Sequence, residues 1–417
     1  MKRSNWLLRV LLLVLAIGLI PLLGACGGDD ETTTTAGQTT STSAAAQPAK
    51  TYKIGLINSL TGLMAPGLAQ VSGSVPVVEA FVNSKGGITV DGQQYLIDIA
   101  VEDDMSTQDG AIAVAKKLIS ADTKIIIAPQ FPPYDQAITS VCEDAKILRF
   151  MSVAPDHQRY ADSHYEFVAY SSGIGLKVVH DKILGLSPDV KKMAIVCPDD
   201  PPVADLVTAA MADFKERGLE IVFEERFPPD IQDFYPIMTK ALAAEPDAIS
   251  FVAGMAMWAK GILESARQMG FTGPVFASAA LGDPNQINAM FDPRYANDFS
   301  AQLMDVHSPE VKPLVQELGQ MAQDMGLEFQ VDCVNTFNTF WIIKQAIEEA
   351  QSFDVDKIVS TLESMDSIET VCGPGKFVGE ETVGHINIGK NRIMNTAVPW
   401  YRIMDAKVQF EWLPIPK

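Results

Sequence analysis

Three consecutive carboxylates, Glu102-Asp103-Asp104, are the densest group of residues in this sequence that could do chemistry. Such a run could hold a divalent cation through hard oxygen ligands. It could also be a solvated strand end just before a helix, where negative charge meets the positive end of the helix dipole. The second reading fits better, because a helical pattern begins at Asp109. The five histidines, His157, His164, His180, His307 and His385, are scattered, and none has metal-ligand spacing to a cysteine pair. There is no G-x-S-x-G nucleophile elbow and no H-E-x-x-H. Gly384-His385-Ile386-Asn387-Ile388-Gly389-Lys390-Asn391 approaches a phosphate-binding loop. However, Asn391 stands where a Mg²⁺-binding Ser or Thr is required, and the segment lies among hairpin patterns, so a turn is expected. These residues predict no enzyme, no cofactor and no metal site.

Residues suited to binding a small molecule instead follow short apolar runs. Ile54 to Asn58 reads as a parallel strand buried on both faces. In open parallel α/β sheets, ligands bind at the carboxyl ends of strands. Here those positions are Ser59, Leu60 and Thr61 after the first strand. Gln130, Phe131, Pro132 and Tyr134 lie in a loop after the strand 124–128, and Ser152, Val153, Ala154 and Pro155 follow the strand 146–151. Further along, Asp200 and Pro202 follow the strand 192–197, and Ala279 follows the strand 274–277. Met255 and Trp258 surround the start of a helix after the strand 248–252, as a cleft wall or as core. Arg149 lies inside an apolar strand; it could reach a ligand carboxylate, but buried charges are normally paired locally.

The elements that position these loops alternate strand with helix. Helices are expected at 69–84, 109–120, 135–144, 203–217, 233–243 and 256–269, with Thr107 or Ser106 capping the second. Val90-Asp91-Gly92-Gln93 reads as a hairpin turn before a returning strand at 95–101. After Tyr170-Ser171-Ser172-Gly173 the βα pattern restarts, giving a second lobe of similar layout. The last third predicts helices at 309–325, 335–350 and 355–364, then hairpin strands from Cys372 onward, ending at 400–404 and 408–412. It should pack mainly on the first lobe and supply further crossings between the lobes.

A chain of 417 residues with 47% hydrophobic content is large enough for two or more globular domains. Its net charge is −20, and three of its basic residues, Lys2, Arg3 and Arg9, lie in the leader. So acidic a body excludes nucleic acid as a natural partner. Lys2 and Arg3 precede an apolar run from Val10 to Leu23, too short and too early for a mature membrane-spanning helix. Leu23-Gly24-Ala25-Cys26 resembles the bacterial lipoprotein box, with cleavage before Cys26 and acylation of its thiol; the alternative is an ordinary secretory signal with an incidental cysteine. Residues 1–25 would then be a signal peptide, and residues 26–50, rich in Thr, Ser and Ala, a flexible tether. Four cysteines remain, Cys142, Cys197, Cys333 and Cys372, which allow three pairings. Cys142 and Cys197 fall in helix or strand patterns, where buried free cysteine is common, so Cys333 with Cys372 is the pair to test first.

From Tyr52 onward the sequence resembles type I periplasmic substrate-binding proteins of the branched-chain amino acid (Leu/Ile/Val) ABC transporter group. The resemblance is carried by Ile54-Gly55-Leu56 with Ser59-Leu60-Thr61-Gly62, by Phe81-Val82-Asn83-Ser84-Lys85-Gly86-Gly87-Ile88, and by Glu102-Asp103-Asp104 with Ala111 and Ala113-Val114-Ala115. Ile262-Leu263-Glu264-Ser265-Ala266-Arg267 with Gly270, and Gly373-Pro374, extend it. The resemblance implies an α/β fold of two doubly wound parallel-sheet lobes joined by a three-strand hinge. The N-lobe would be 51–172 plus about 306–390, and the C-lobe 173–305 plus about 391–417. It implies a monomer outside the cytoplasm, held to the membrane at Cys26, that closes on a small-molecule ligand and docks on ABC permease subunits. In amino-acid-binding members, hydroxyls after the third and fourth strands hold the carboxylate, and an acid in lobe two holds the ammonium. Those positions fall here at Phe131-Pro132, at Val153-Ala154-Pro155 and near Ala279, while the ligand-contacting tyrosines fall near Pro202 and Met255. An amino acid without those partners would be buried with unsatisfied charges. The expected ligand is therefore a different small solute, apolar or aromatic, able to carry a carboxylate, with Ser59, Thr61 and Ser152 as donors; a branched-chain amino acid is the alternative. A ligand-sensing subunit without transport would share this fold.

Overall fold

The computed structural model describes residues 50–153, 163–199, 204–228, 230–252, 256–379 and 391–416. Their strands form two sheets. The first contains β1 (Lys50–Asn58), β2 (Ile88–Val90), β3 (Gln93–Asp103), β4 (Ile125–Ile127), β5 (Leu148–Met151) and β6 (Glu166–Val168). The second contains β7 (Lys192–Pro198), β8 (Glu220–Phe227), β9 (Ala248–Phe251), β10 (Val275–Ala280) and β11 (Phe299–Gln302). The chain then returns to the first sheet with β12 (Ile368–Thr370), β13 (Gly373–Val378) and β14 (Ile393–Asn395), and ends in the second with β15 (Val398–Met404) and β16 (Lys407–Leu413). The strand orders are β12-β13-β14-β6-β5-β4-β1-β3-β2 and β16-β15-β11-β10-β9-β7-β8. The chain thus passes between the sheets three times, after β6, after β11 and after β14, as the resemblance implied.

β1 is central because it pairs parallel with β3 from Lys50↔Tyr95 to Asn58↔Asp103 and with β4 on its other edge. Its last five residues are fully buried, which the apolar run at Ile54 foretold. The β2–β3 hairpin turns at Asp91 and Gly92, with φ of 49° and 75°, the two left-handed positions that a tight hairpin demands. Helix Gln108–Ser120 is capped as expected by Thr107, which accepts from the Gly110 N–H at 3.0 Å. Helix Val331–Ala350 is buried on nearly every side and packs on the first sheet's helices and hairpin.

Several expectations change. The helix expected over 69–84 is two helices, Ala65–Gly73 and Val75–Ser84, meeting at Ser74. Pro76, in the first turn of the second, has no N–H to continue the first. The loop expected over 129–134 stops early, since helix Pro132–Asp144 starts with its prolines in the first turn. Helices Leu176–Leu186 and Pro284–Met290 and strands β6 and β11 were not expected. The first of these helices has no capping side chain, and β11 hides its nature behind buried Ser300 and Gln302. Cys142, Cys197, Cys333 and Cys372 are all free and buried, so no Cys333–Cys372 bond exists; each thiol is packed as a small apolar group. The segment 384–390 lies outside the described residues.

The crossings are packed closely. Gln302 Nε2 donates to the Tyr170 hydroxyl at 2.8 Å, joining the first and second crossings. A Cβ on Gly175 would lie 2.8 Å from the Val398 methyls, so the first crossing runs against the third with no room for a side chain.

Candidate functional site

At the carboxyl ends of β1, β3 and β4, three loops are tied together by the acids that opened the sequence reading. The Asp103 carboxylate accepts from the backbone of Leu60 and Thr61 at 2.9 and 3.2 Å, from the Thr61 hydroxyl at 2.6 Å and from Met105 N at 2.8 Å. Burial works to raise its pKa, but these hydrogen bonds outweigh it and hold the carboxyl below the usual range. Buried Asp104 accepts from the Ser59 hydroxyl at 2.6 Å and from Ser106 N at 2.8 Å. Glu102 pairs with Lys117 at 2.6 Å. Each carboxylate of the run therefore has a separate structural partner. The protons of Ser59 and Thr61 are already donated to aspartates, which leaves only their lone pairs for a ligand.

The third loop joins through Tyr134, whose hydroxyl donates to the Ser106 carbonyl at 2.6 Å and whose ring lies edge-on to Phe131 at 4.7 Å. Burial and the charge of Asp104 push the Tyr134 hydroxyl pKa up. Gln130, in the loop after β4, has a buried amide nitrogen with no hydrogen-bond partner, and Pro132 is half-buried. Leu60, in the loop after β1, is exposed. After β5, buried Ser152 hydrogen-bonds Thr339 at 2.8 Å, which couples that loop to helix Val331–Ala350, and Val153 packs partly buried against the main core. Ser59, Leu60, Thr61, Gln130, Phe131, Pro132 and Tyr134 thus stand at one rim of the first sheet.

In the second sheet, Trp258 lies in the core, edge-on to Phe227 at 5.3 Å, and Ala279 is buried within β10. Ala154, Pro155, Asp200, Pro202 and Met255 lie outside the described residues, as does Cys26. Sequence reasoning missed two acids. Asp283, in the loop after β10, caps helix Pro284–Met290 through one oxygen and buries the other unpartnered. Asp332, in the first turn of helix Val331–Ala350, is half-buried, and burial followed by the charge of Asp283 raises its pKa. An aspartate before proline after a strand, and a lone acid inside Val331-Asp332-Cys333-Val334, were the available signals.

Two further polar clusters are sealed in the interior. Arg149 donates to the Asp135 carbonyl and the Thr139 hydroxyl, both at 2.9 Å, and pairs with the Asp135 and Glu166 carboxylates. It is a local structural ion cluster and not a ligand contact. In the second sheet, His180 bonds Asp213 at 2.6 Å and Ser278 at 2.9 Å, which mimics a hydrolase triad. However, Ser278 also bonds Ser250 at 2.8 Å, Arg217 binds Asp213 at 2.7 Å, and all members except Arg217 are inaccessible to substrate. No described helix is long and apolar enough to cross a membrane.

A sequence model described as "Periplasmic binding protein" matches residues 51–394. Among solved structures, a leucine-binding protein from Thermotoga maritima is 19% identical, with a TM-score of 0.68, covering 87% of this chain and 99% of its own. A branched-chain amino acid substrate-binding protein from Streptococcus pneumoniae, solved with isoleucine, is 18% identical at a TM-score of 0.67, covering 88% of this chain and 100% of its own. A solute-binding protein from Rhodopseudomonas palustris, solved with 4-hydroxybenzoate, is 18% identical at a TM-score of 0.69, covering 88% and 97%. At these identities the likenesses show the two-lobed fold. The family match spans most of the chain and includes the first two crossings, so the chain belongs to the periplasmic binding proteins, extracytoplasmic solute binders and not enzymes.

Proposed function

We propose that this chain is the lipid-anchored substrate-binding component of an ABC importer. It closes two lobes, 51–172 with about 306–390 and 173–305 with about 391–417, on a small organic solute with an apolar or aromatic body. The observation that carries this reading is the first-sheet rim. There Phe131 and Tyr134 stand together, with Leu60 exposed in the loop after β1 and the unpartnered amide nitrogen of Gln130 in the loop after β4. An aromatic pair with one free polar donor suits a solute with a large apolar face and a single polar handle. The likeness to a Rhodopseudomonas protein solved with 4-hydroxybenzoate agrees with it. The protein would work as a monomer tethered at Cys26 and dock on membrane permease subunits. A branched-chain amino acid is the second reading, favoured by the likeness to the Streptococcus protein solved with isoleucine. Uptake assays on cells lacking this chain, with leucine, isoleucine, valine and small aromatic solutes, test the importer role. Loss of uptake for one solute class identifies the cargo, and unchanged uptake of every solute refutes the role.

A further inference from the structure

The last strand reaches beyond the sheet it completes. β16 pairs antiparallel with β15 from Val398↔Leu413 to Met404↔Lys407, so its carboxyl end lies beside Val398, where the third crossing enters the second sheet. After Leu413 the chain turns back toward the first sheet. The Pro416 carbonyl accepts from Asn395 Nδ2 at 3.0 Å in a buried contact, and Asn395 is the last residue of β14. Residues 414–416 therefore run beside the third crossing in the opposite direction, from the second sheet to the first.

A second contact leaves the same strand. Trp412, half-buried in β16, donates from Nε1 to the Glu310 carbonyl at 2.8 Å. Glu310 lies past the second crossing, two residues before Lys312 at the start of helix Pro313–Asp324, which packs on helix Val75–Ser84 of the first lobe. Lys312 Nζ stands 5.7 Å from the centre of the Trp412 ring, and a Cβ at Gly373, the first residue of β13, would meet Lys312 Cε at 3.3 Å. The end of the chain thus grips first-lobe elements at two separate places.

Both grips are specific. The Asn395 side chain is buried, and its Oδ1 has no partner, so losing Pro416 would leave the whole amide unsatisfied. Pro414 and Pro416 hold φ near about −65° and carry no N–H, which makes the tail stiff and keeps it out of the ladder. The strand belongs to one lobe and its anchors to the other, so a rotation that carries β16 away must break them. Contacts made in one arrangement of the lobes favour that arrangement by as much as they are worth.

We propose that β16 and residues 414–416 form a strap across the hinge that holds the angle between the lobes and must be released for them to turn. It rests on the two-lobed fold and is independent of which solute binds.

Hydrogen–deuterium exchange of the full chain, read by mass spectrometry, tests the strap in Trp412→Phe, Asn395→Leu and the double variant. Phenylalanine keeps a ring against Phe410 and removes only the N–H, and leucine fills the space of the amide, so both should fold. The reporters are amides of residues 169–176 and 302–306, on the first and second crossings and distant in sequence from the strap. Exchange there should rise about 2- to 10-fold in each single variant, the loss of one net hydrogen bond, and further in the double. Amides of β1 and β9 should exchange as in the parent. Parent-like exchange at either crossing in the double variant would overturn the strap and leave two local contacts. A rise shared by β1 and β9 would report general loss of stability and overturn it as well.

Discussion

Replacing Arg149 with methionine should cost about 3–5 kcal/mol of folding free energy, the range for removing one partner from a buried ion pair. The size follows from the cluster. The side chains of Arg149, Asp135 and Glu166 are 1%, 0% and 1% exposed, so water cannot take over for the lost guanidinium. Methionine keeps most of the aliphatic stem, so packing loss is small. What remains is two carboxylates without their cation, and a Thr139 hydroxyl and an Asp135 carbonyl that each lose a bond of 2.9 Å. Against a usual domain stability of about 5–15 kcal/mol, this is a large fraction. Urea titration followed by far-ultraviolet circular dichroism measures it. The companion Arg149→Met/Asp135→Asn/Glu166→Gln, which removes the uncompensated charges but keeps the shapes, should regain most of the loss. A single variant within about 1 kcal/mol of the parent, or a triple variant no more stable than the single, would refute the electrostatic account.

Other perturbations have equally definite outcomes. Burial, aided by Arg217 beside Asp213, holds the His180 pKa below 6.5 despite the aspartate, so the unfolded chain takes up that proton first. The stability contributed by neutral His180 should be complete above pH 6.5 and decline as pH falls below it, and His180→Gln should remove this part of the pH dependence of chemical denaturation. Gly87 has φ of +62°, and a Cβ there would stand 2.2 Å from the Tyr95 carbonyl, so Gly87→Ala should cost at least about 2 kcal/mol in the same titration. Thr107→Ala removes the cap on Gly110 N and should cost about 1 kcal/mol. Burial pushes the thiols of Cys142, Cys333 and Cys372 up to about 12 and Cys197 up to about 11. All four should resist alkylation in the native state, monitored by mass spectrometry, and react once the chain is unfolded.

The sheets were legible because a parallel strand covered on both faces has no reason to carry polar residues, and Ile125–Ile127 or the Ile54 run can hardly be read otherwise. That same logic conceals strands whose polar groups are satisfied inside. β6 begins with Glu166, which needs Arg149 from the neighbouring strand, and β11 ends with Gln302, which needs Tyr170 from another crossing. A buried polar residue makes sense only beside its partner, and sequence separates the two. The site divides in the same way. The first-sheet rim could be placed because each loop directly follows a recognisable strand. The resemblance puts the lobe-two acid position near Ala279, after a strand expected to stop at Ala277, but the strand runs on to Ala280, and its pairing with β11 shifts register between Phe276 and Ala280. Three more strand residues move the loop after β10 toward Asp283. Asp332 lies in the first turn of helix Val331–Ala350, where no local pattern singles it out. Where a loop begins depends on where its strand stops, and a run of small residues such as Ala277-Ser278-Ala279-Ala280 does not mark that point.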